Sequence, residues 1–207
     1  MLVRPQTLLQ LANAPAEPSQ LANSVLLLID PQLEYVTGAL PLAGVDAAVE
    51  EAARLLDVAR NADMPVIHIL HHAREGSPVF DPRSAYTASV PILKPRIAEA
   101  IVFKSLPNSF AKTDLHALVQ ATVRRELIIA GFATHMCVSA TTRAALDLGY
   151  RSTVIANATA TRDLPDPCSA DVIPASTIFR GTLAALADRF AVVIKDTATL
   201  LAGQAVN

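Results

Sequence analysis

The chain has 207 residues, 52% of them hydrophobic and 17% charged, with a net charge of -2. That length suits one domain with a single sizeable core. No segment clusters Lys and Arg as a nucleic-acid partner requires, and no apolar run reaches the roughly 18 residues that span a bilayer.

The first residues carry Pro5, Pro15 and Pro18 without a sustained period. Residues 1–22 are therefore expected to form an N-terminal arm, and residues 23–207 the folded domain. The start of the chain lacks the basic, apolar and small-residue parts of a secretory signal, and only Cys137 and Cys168 are present. A reduced, cytoplasmic protein is the expectation.

Short apolar runs follow at 25–29, 66–70, 101–103, 126–130, 153–156 and 191–194. Continuous rather than alternating runs suit strands buried on both faces of a parallel sheet. Between several of them lie amphipathic, helix-length stretches. Residues 45–62 end at Met64-Pro65, 113–122 have Thr113 as a cap, and 137–148 end at Gly149, where a left-handed C-cap fits. Residues 175–189 form the last helix. Strands alternating with helices predict an α/β fold, a three-layer α/β/α sandwich built from right-handed crossovers. The long irregular stretch 71–95, with Pro78, Pro82, Pro91 and Pro95, reads as a lid or binding loop.

In an open parallel sheet, ligands bind at the carboxyl ends of the strands. Asp30 follows the first run, Lys104 the third, and the loop Gly131-Phe-Ala-Thr-His-Met-Cys137 the fourth. An acid, an amine and a thiol thus meet on one rim. A helix start and a nearby cation lower a thiol pKa, so Cys137 is expected to be activated by its helix and by Lys104. Asp30 would take the thiol proton and return it to a leaving amine. Backbone N–H groups of the turn would hold an oxyanion.

Taken singly, each residue has a plainer reading. A helical Cys is commonly a small buried apolar residue, Asp before Pro a turn former, and a lone Lys a solvated one. Alternation turns His68 into the core, while His71 and His72 follow the second strand and reach toward the rim. No acidic residue is spaced with them as a metal set requires, so no metal and no other cofactor is expected. His116 belongs to a helix surface and His135 to the Cys137 loop. Cys168 is a loop residue without an activator.

Three segments together resemble the isochorismatase-like hydrolases: Leu27-Leu-Ile-Asp30-Pro-Gln32, the stretch from Phe103-Lys104 through Asn108-Ser-Phe110, and Gly131-Phe-Ala-Thr134-His-Met-Cys137-Val138. The match in order and spacing runs over residues 24–195. It implies a six-stranded, mainly parallel sheet and a catalytic set in which Cys137 is the nucleophile, Asp30 the acid and base, and Lys104 the electrostatic partner. It also implies a cis peptide at Phe132–Ala133 that aims the Ala133 N–H at an oxyanion beside the Cys137 N–H.

The family includes amidases and ureide hydrolases as well as isochorismatase, whose vinyl-ether substrate needs no cysteine. Retention of Cys137 points to a small amide or ureide, cleaved through a thioester. Zinc nicotinamidases use an Asp-x-His element that is missing between Tyr35 and Gly44. Tyr35, Phe110, Thr134, His72 and Arg74 are candidate substrate contacts, with Arg83 beside Arg74 in the loop. Their plainer readings are core packing and solvated loop arginines. The resemblance implies a homo-oligomer, a dimer or a tetramer. A nucleotide-binding module is disfavoured, because the acidic, glycine-free segment 30–34 follows the first strand where a phosphate loop would stand. Isochorismatase-type vinyl-ether hydrolysis on the same fold, with Cys137 a bystander, and a non-catalytic oligomeric scaffold are the remaining alternatives.

Overall fold

A computed structural model describes residues 4–204. Its centre is a six-stranded sheet in the order β3-β2-β1-β4-β5-β8, with every pairing parallel. The strands are β1 (Ser24–Ile29), β2 (Val66–His71), β3 (Ala100–Lys104), β4 (Glu126–Phe132), β5 (Arg151–Ala160) and β8 (Val192–Ile194). A small antiparallel pair, β6 (Leu164–Pro165) and β7 (Val172–Ile173), interrupts the connection after β5.

Helices cover both faces because strand side chains alternate. Leu26 and Leu28 pack under α2 (Val45–Asn61) and α6 (Thr197–Ala202). Val25, Leu27 and Ile29 pack under α3 (Leu115–Ala121), α4 (Ser139–Asp147) and α5 (Ala175–Arg189). Each residue of β1 is buried, which explains why its sequence is one apolar run.

In α2, buried Val45, Ala48, Val49, Ala52, Leu55, Leu56 and Ala59 recur at helical spacing. Leu55→Ala would cost about 2–5 kcal/mol, since a fully buried side chain would leave a cavity. Pro65 cannot continue the helix, and the chain turns at Asp63 through a left-handed φ of +48°. Residues 175–189 form α5 with the expected bounds. The cap of α3 differs from expectation: the helix starts at Leu115, and Thr113 Oγ1 donates to the Ser109 carbonyl as well as accepting from Leu115 N.

The segment before β1 contains one turn of helix, α1 (Leu8–Leu11), closed by a reciprocal cap between Thr7 and Gln10. It lies against its own chain. Leu8 N donates to Asp188 of α5, and buried Ser19 donates its N–H to Thr153 of β5. Among the described residues, no helix is long and apolar enough to cross a membrane.

The order in which strands join the sheet reverses between the parallel neighbours β1 and β4: β1 leads outward to β2 and β3, β4 outward to β5 and β8. Neighbouring crossovers diverge there and leave a crevice at the carboxyl ends. Gly131 lets the two strands close up. A Cβ there would stand 1.9 Å from the Ile29 carbonyl oxygen, and its φ is +120°.

Candidate active site

Asp30 stands at the end of β1, at the reversal point, with a left-handed φ of +47°. Lys104 ends β3 and pairs in register with His71 at the end of β2. Its long side chain therefore crosses the end of β2 to reach β1. Lys104 Nζ lies 2.8 Å from Asp30 Oδ2, 3.2 Å from Cys137 Sγ and 3.1 Å from His71 Nδ1. Both side chains of the Lys104–Asp30 ion pair are fully buried. Acid, amine and thiol thus meet as the sequence spacing predicts, and His71 joins them.

Cys137 does not open a regular helix. It lies within a π-helical turn, Thr134–Val138, that feeds directly into α4. The Phe132–Ala133 peptide before the turn is cis. Met136 and Val138 both donate to the Ala133 carbonyl.

The expected activation of the thiol needs correcting. Burial pushes the Cys137 thiol up, the Asp30 carboxylate pushes it further, and Lys104 lowers it only in part. The sequence places both the anion and the cation on the thiol's rim but does not show that burial and the anion outweigh the cation there. Burial and Asp30 together favour the protonated thiol beside the ion pair. For Lys104, burial opposes the charge, but Asp30 and Cys137 outweigh it and raise the pKa. Asp30 Oδ1 has no hydrogen-bond partner among the described residues, and neither does buried Thr134 Oγ1.

Tyr35 is buried, and its ring packs edge-on against Phe80 and Phe132. Burial raises its hydroxyl pKa, and so do the nearby Asp30 and Cys137, which puts Tyr35 beside the cluster. Phe110 belongs elsewhere. Its ring stacks on Tyr150 at 6.0 Å and meets His116 edge-on, packing against the α3 and α4 face. His72 also departs from expectation, because strand alternation sends it to the face opposite His71, where it lies 4.6 Å from the exposed Phe103 ring.

Arg74 is exposed, with no side-chain hydrogen bond or ion pair among the described residues, and Arg83 is held by Asp81. Neither meets the cluster. A further cation is Arg162, two residues after β5: its field opposes the rise that burial imposes on Tyr35 and adds to the fall that burial imposes on His135. Sequence reasoning passed over Arg162, although the rule of strand carboxyl ends singles out its position.

Gln32 was legible only as part of a motif. In the structure it is fully buried, accepting from His71 N at 2.8 Å and donating to the carbonyls of His71 at 3.0 Å and Thr87 at 2.8 Å. Glu34 accepts from Phe80 N, and Pro31 and Leu33 bond to Val90 and Ala88. The loop after β2 is therefore stapled over the site by residues 31–34.

Ligand atoms of Asp30, His71 and Cys137 lie within 4.8 Å of one another, a set that suits a soft divalent metal. The Lys104 ammonium bonds to all three, so a fixed cation already occupies the centre of that set.

The model of the isochorismatase domain matches residues 24–171. The crystal structure of an isochorismatase from Pseudomonas putida KT2440 superposes with a TM-score of 0.88 at 40% identity, covering 95% of this chain and 100% of that one. A secreted isochorismatase effector of Verticillium dahliae is 29% identical over 180 residues, spanning 87% of this chain and 92% of that protein. A maleamate amidohydrolase of Pseudomonas putida is 30% identical over 148 residues, spanning 63% of this chain and 68% of that protein. With the strand order and the motif residues in place, these likenesses lead to one conclusion: the chain belongs to the isochorismatase family of hydrolases.

Proposed function

We propose that the protein hydrolyses a C–N bond of a small amide or ureide, with Cys137 as nucleophile and a thioester as intermediate. The observation that carries this reading is the Lys104 ammonium held at once by Asp30 Oδ2 and Cys137 Sγ in a buried site. Asp30 removes the thiol proton as sulfur attacks the carbonyl carbon, so no preformed thiolate is needed. Lys104 stabilises the negative charge on sulfur. The Ala133 and Cys137 N–H groups receive the oxyanion. Asp30 then gives its proton to the departing nitrogen, and the C–N bond breaks. Water enters, loses a proton to Asp30 and attacks the thioester. Collapse expels the sulfur, which recovers the proton. None of these steps calls for a metal or an organic cofactor.

Tyr35 and Thr134 are the substrate contacts that this reading keeps, and Arg162 is a third. We also propose a homo-oligomer and a reducing compartment, the latter because both cysteines are free and one of them is exposed.

The second reading is hydrolysis of a vinyl ether, with Cys137 uninvolved. It is favoured by the isochorismatase likenesses. A panel of small amides and ureides, scored by released ammonia, tests the two beside isochorismate. The first reading expects ammonia from at least one amide and none from Cys137→Ala. Undiminished turnover of isochorismate by Cys137→Ala, with no amide cleaved by either protein, would establish the second.

A further inference from the structure

Lys104 presents three N–H donors and no acceptor. Its side chain is fully buried, so a donor left without a partner would keep the full cost of its desolvation. Asp30 takes one N–H and the Cys137 sulfur, a weak acceptor, takes another. The third goes to His71 Nδ1 at 3.1 Å.

The geometry points to His71 as a positioning residue: a neutral imidazole that holds the third N–H of Lys104 and so keeps the ammonium aimed at Asp30 and Cys137. This rests on the catalytic roles proposed above for those two residues.

Three observations support it. Burial and the charge of Lys104 both lower the His71 pKa, which keeps Nδ1 a lone-pair acceptor. The backbone of His71 is gripped at both polar groups by the buried Gln32 side chain. Its ring meets Phe80 at 4.9 Å, and Phe80 is itself anchored through its N–H to Glu34. The Asp30-Pro-Gln32 tripeptide thus acts at two points. Its acid pairs with Lys104, and its amide fixes the histidine on the other side of the same ammonium.

Sulfur alone is too weak an acceptor to hold that orientation. Without the imidazole, the ammonium is free to pivot about its stronger bond to Asp30 and away from Sγ. Loss of His71 should therefore imitate, in weaker form, loss of Lys104.

The experiment uses the full chain carrying Cys168→Ser, so that Cys137 is the sole thiol. Iodoacetamide alkylation is followed against pH for His71→Leu, His71→Asn and Lys104→Met, with thermal unfolding as the control for folding. Asn places an oxygen near the position of Nδ1; Leu keeps bulk against Phe80 but accepts nothing. Lys104→Met should slow alkylation and move its pH midpoint upward. His71→Leu should do the same by about tenfold in rate, and His71→Asn should recover to within about threefold of the parent. On any amide that the parent turns over, His71→Leu should lower kcat and leave KM within about twofold.

Packing against Phe80 as the sole role of His71 predicts the opposite order, Leu harmless and Asn harmful. That order, or no effect of either variant, would overturn the inference while Lys104→Met still slows alkylation. An unchanged profile for Lys104→Met would instead remove the catalytic reading, and the inference with it. Should His71→Leu fail to fold, the His71→Asn profile decides alone: parent-like supports the acceptor role, Lys104→Met-like refutes it.

Discussion

β2 and β3 carry a charge cluster near each end, one buried and one partly buried, and the two are built differently. At the carboxyl ends, Lys104 is shared by Asp30, His71 and Cys137, and Asp30 Oδ1 remains without a partner. Near the start, Glu99 accepts from Arg60 through two nitrogens, from Arg96 N and from the His68 ring. Both Glu99 oxygens are satisfied, and the one loose end there is His68 Nδ1. A satisfied anion ties strands to α2 and does little else. An acid with a spare buried oxygen beside a neutral thiol is arranged to move a proton. Burial and charge alone do not separate structural clusters from chemical ones; an unspent valence on the acid itself does.

The largest expected effect is at Asp30. Asn tolerates the left-handed φ that Asp30 adopts, so Asp30→Asn should keep the turn. A turn former would then keep its activity, whereas a proton shuttle loses about 10²–10⁴-fold in turnover. The same change removes a charge that raises the Cys137 pKa. Alkylation of Cys137 at neutral pH should therefore become faster while hydrolysis collapses. Parallel loss of both would indicate a disrupted site rather than a missing base.

Next in size is the structural cluster. Glu99 has its pKa held at about 2: burial would raise it, but the bonds from Arg60, Arg96 and His68 prevail. A carboxylate depressed from 4.5 contributes stability that is fully present above that value and lost as pH falls through about 2. The contribution is roughly 2–3 kcal/mol at neutral pH. Glu99→Gln should lower Tm at pH 7, flatten the acid dependence between pH 4.5 and 2, and leave the Cys137 alkylation profile unchanged. A shifted alkylation profile would mean that the two clusters are coupled.

A smaller effect concerns which thiol reacts first. Cys168 is exposed, while Cys137 is 3% exposed with its pKa raised. One equivalent of iodoacetamide should label Cys168 first, by peptide mass mapping, without loss of activity. Early labelling of Cys137 would show a more open site than the structure has. The smallest effect is on metal removal. With an ammonium inside the donor set, dialysis against a strong chelator should leave turnover within about twofold. A large loss restored by zinc would show that a metal displaces Lys104.

Much of the fold was legible because apolar runs mark strands; all six marked the sheet, through burial on both faces in the central strands, although the edge strand β3 exposes Ile101 and Phe103 and β8 is half-buried. The β6–β7 pair was not, since two-residue strands carry no period. The site was half legible. Strand ends located Asp30, Lys104 and the Cys137 loop, but a sequence does not say to which face a side chain turns: His71 and His72 both read as reaching the rim, His72 was carried as the substrate contact, and His71 is the one in the cluster. Phe110 resembled a pocket residue and proved to be a stacking partner of Tyr150.

The sequence by itself determined which residue types stand at the carboxyl ends of the strands, because strand boundaries follow local hydrophobicity. Tertiary structure alone decided what they do to one another. The order β3-β2-β1-β4 puts the strand that bears the acid between those that lead to the amine and the thiol, although they are distant in the chain. Whether Cys137 rests as thiol or thiolate depends on the balance of burial, Asp30 and Lys104 within a few ångströms. That balance is set by distances, and a one-dimensional sequence contains none.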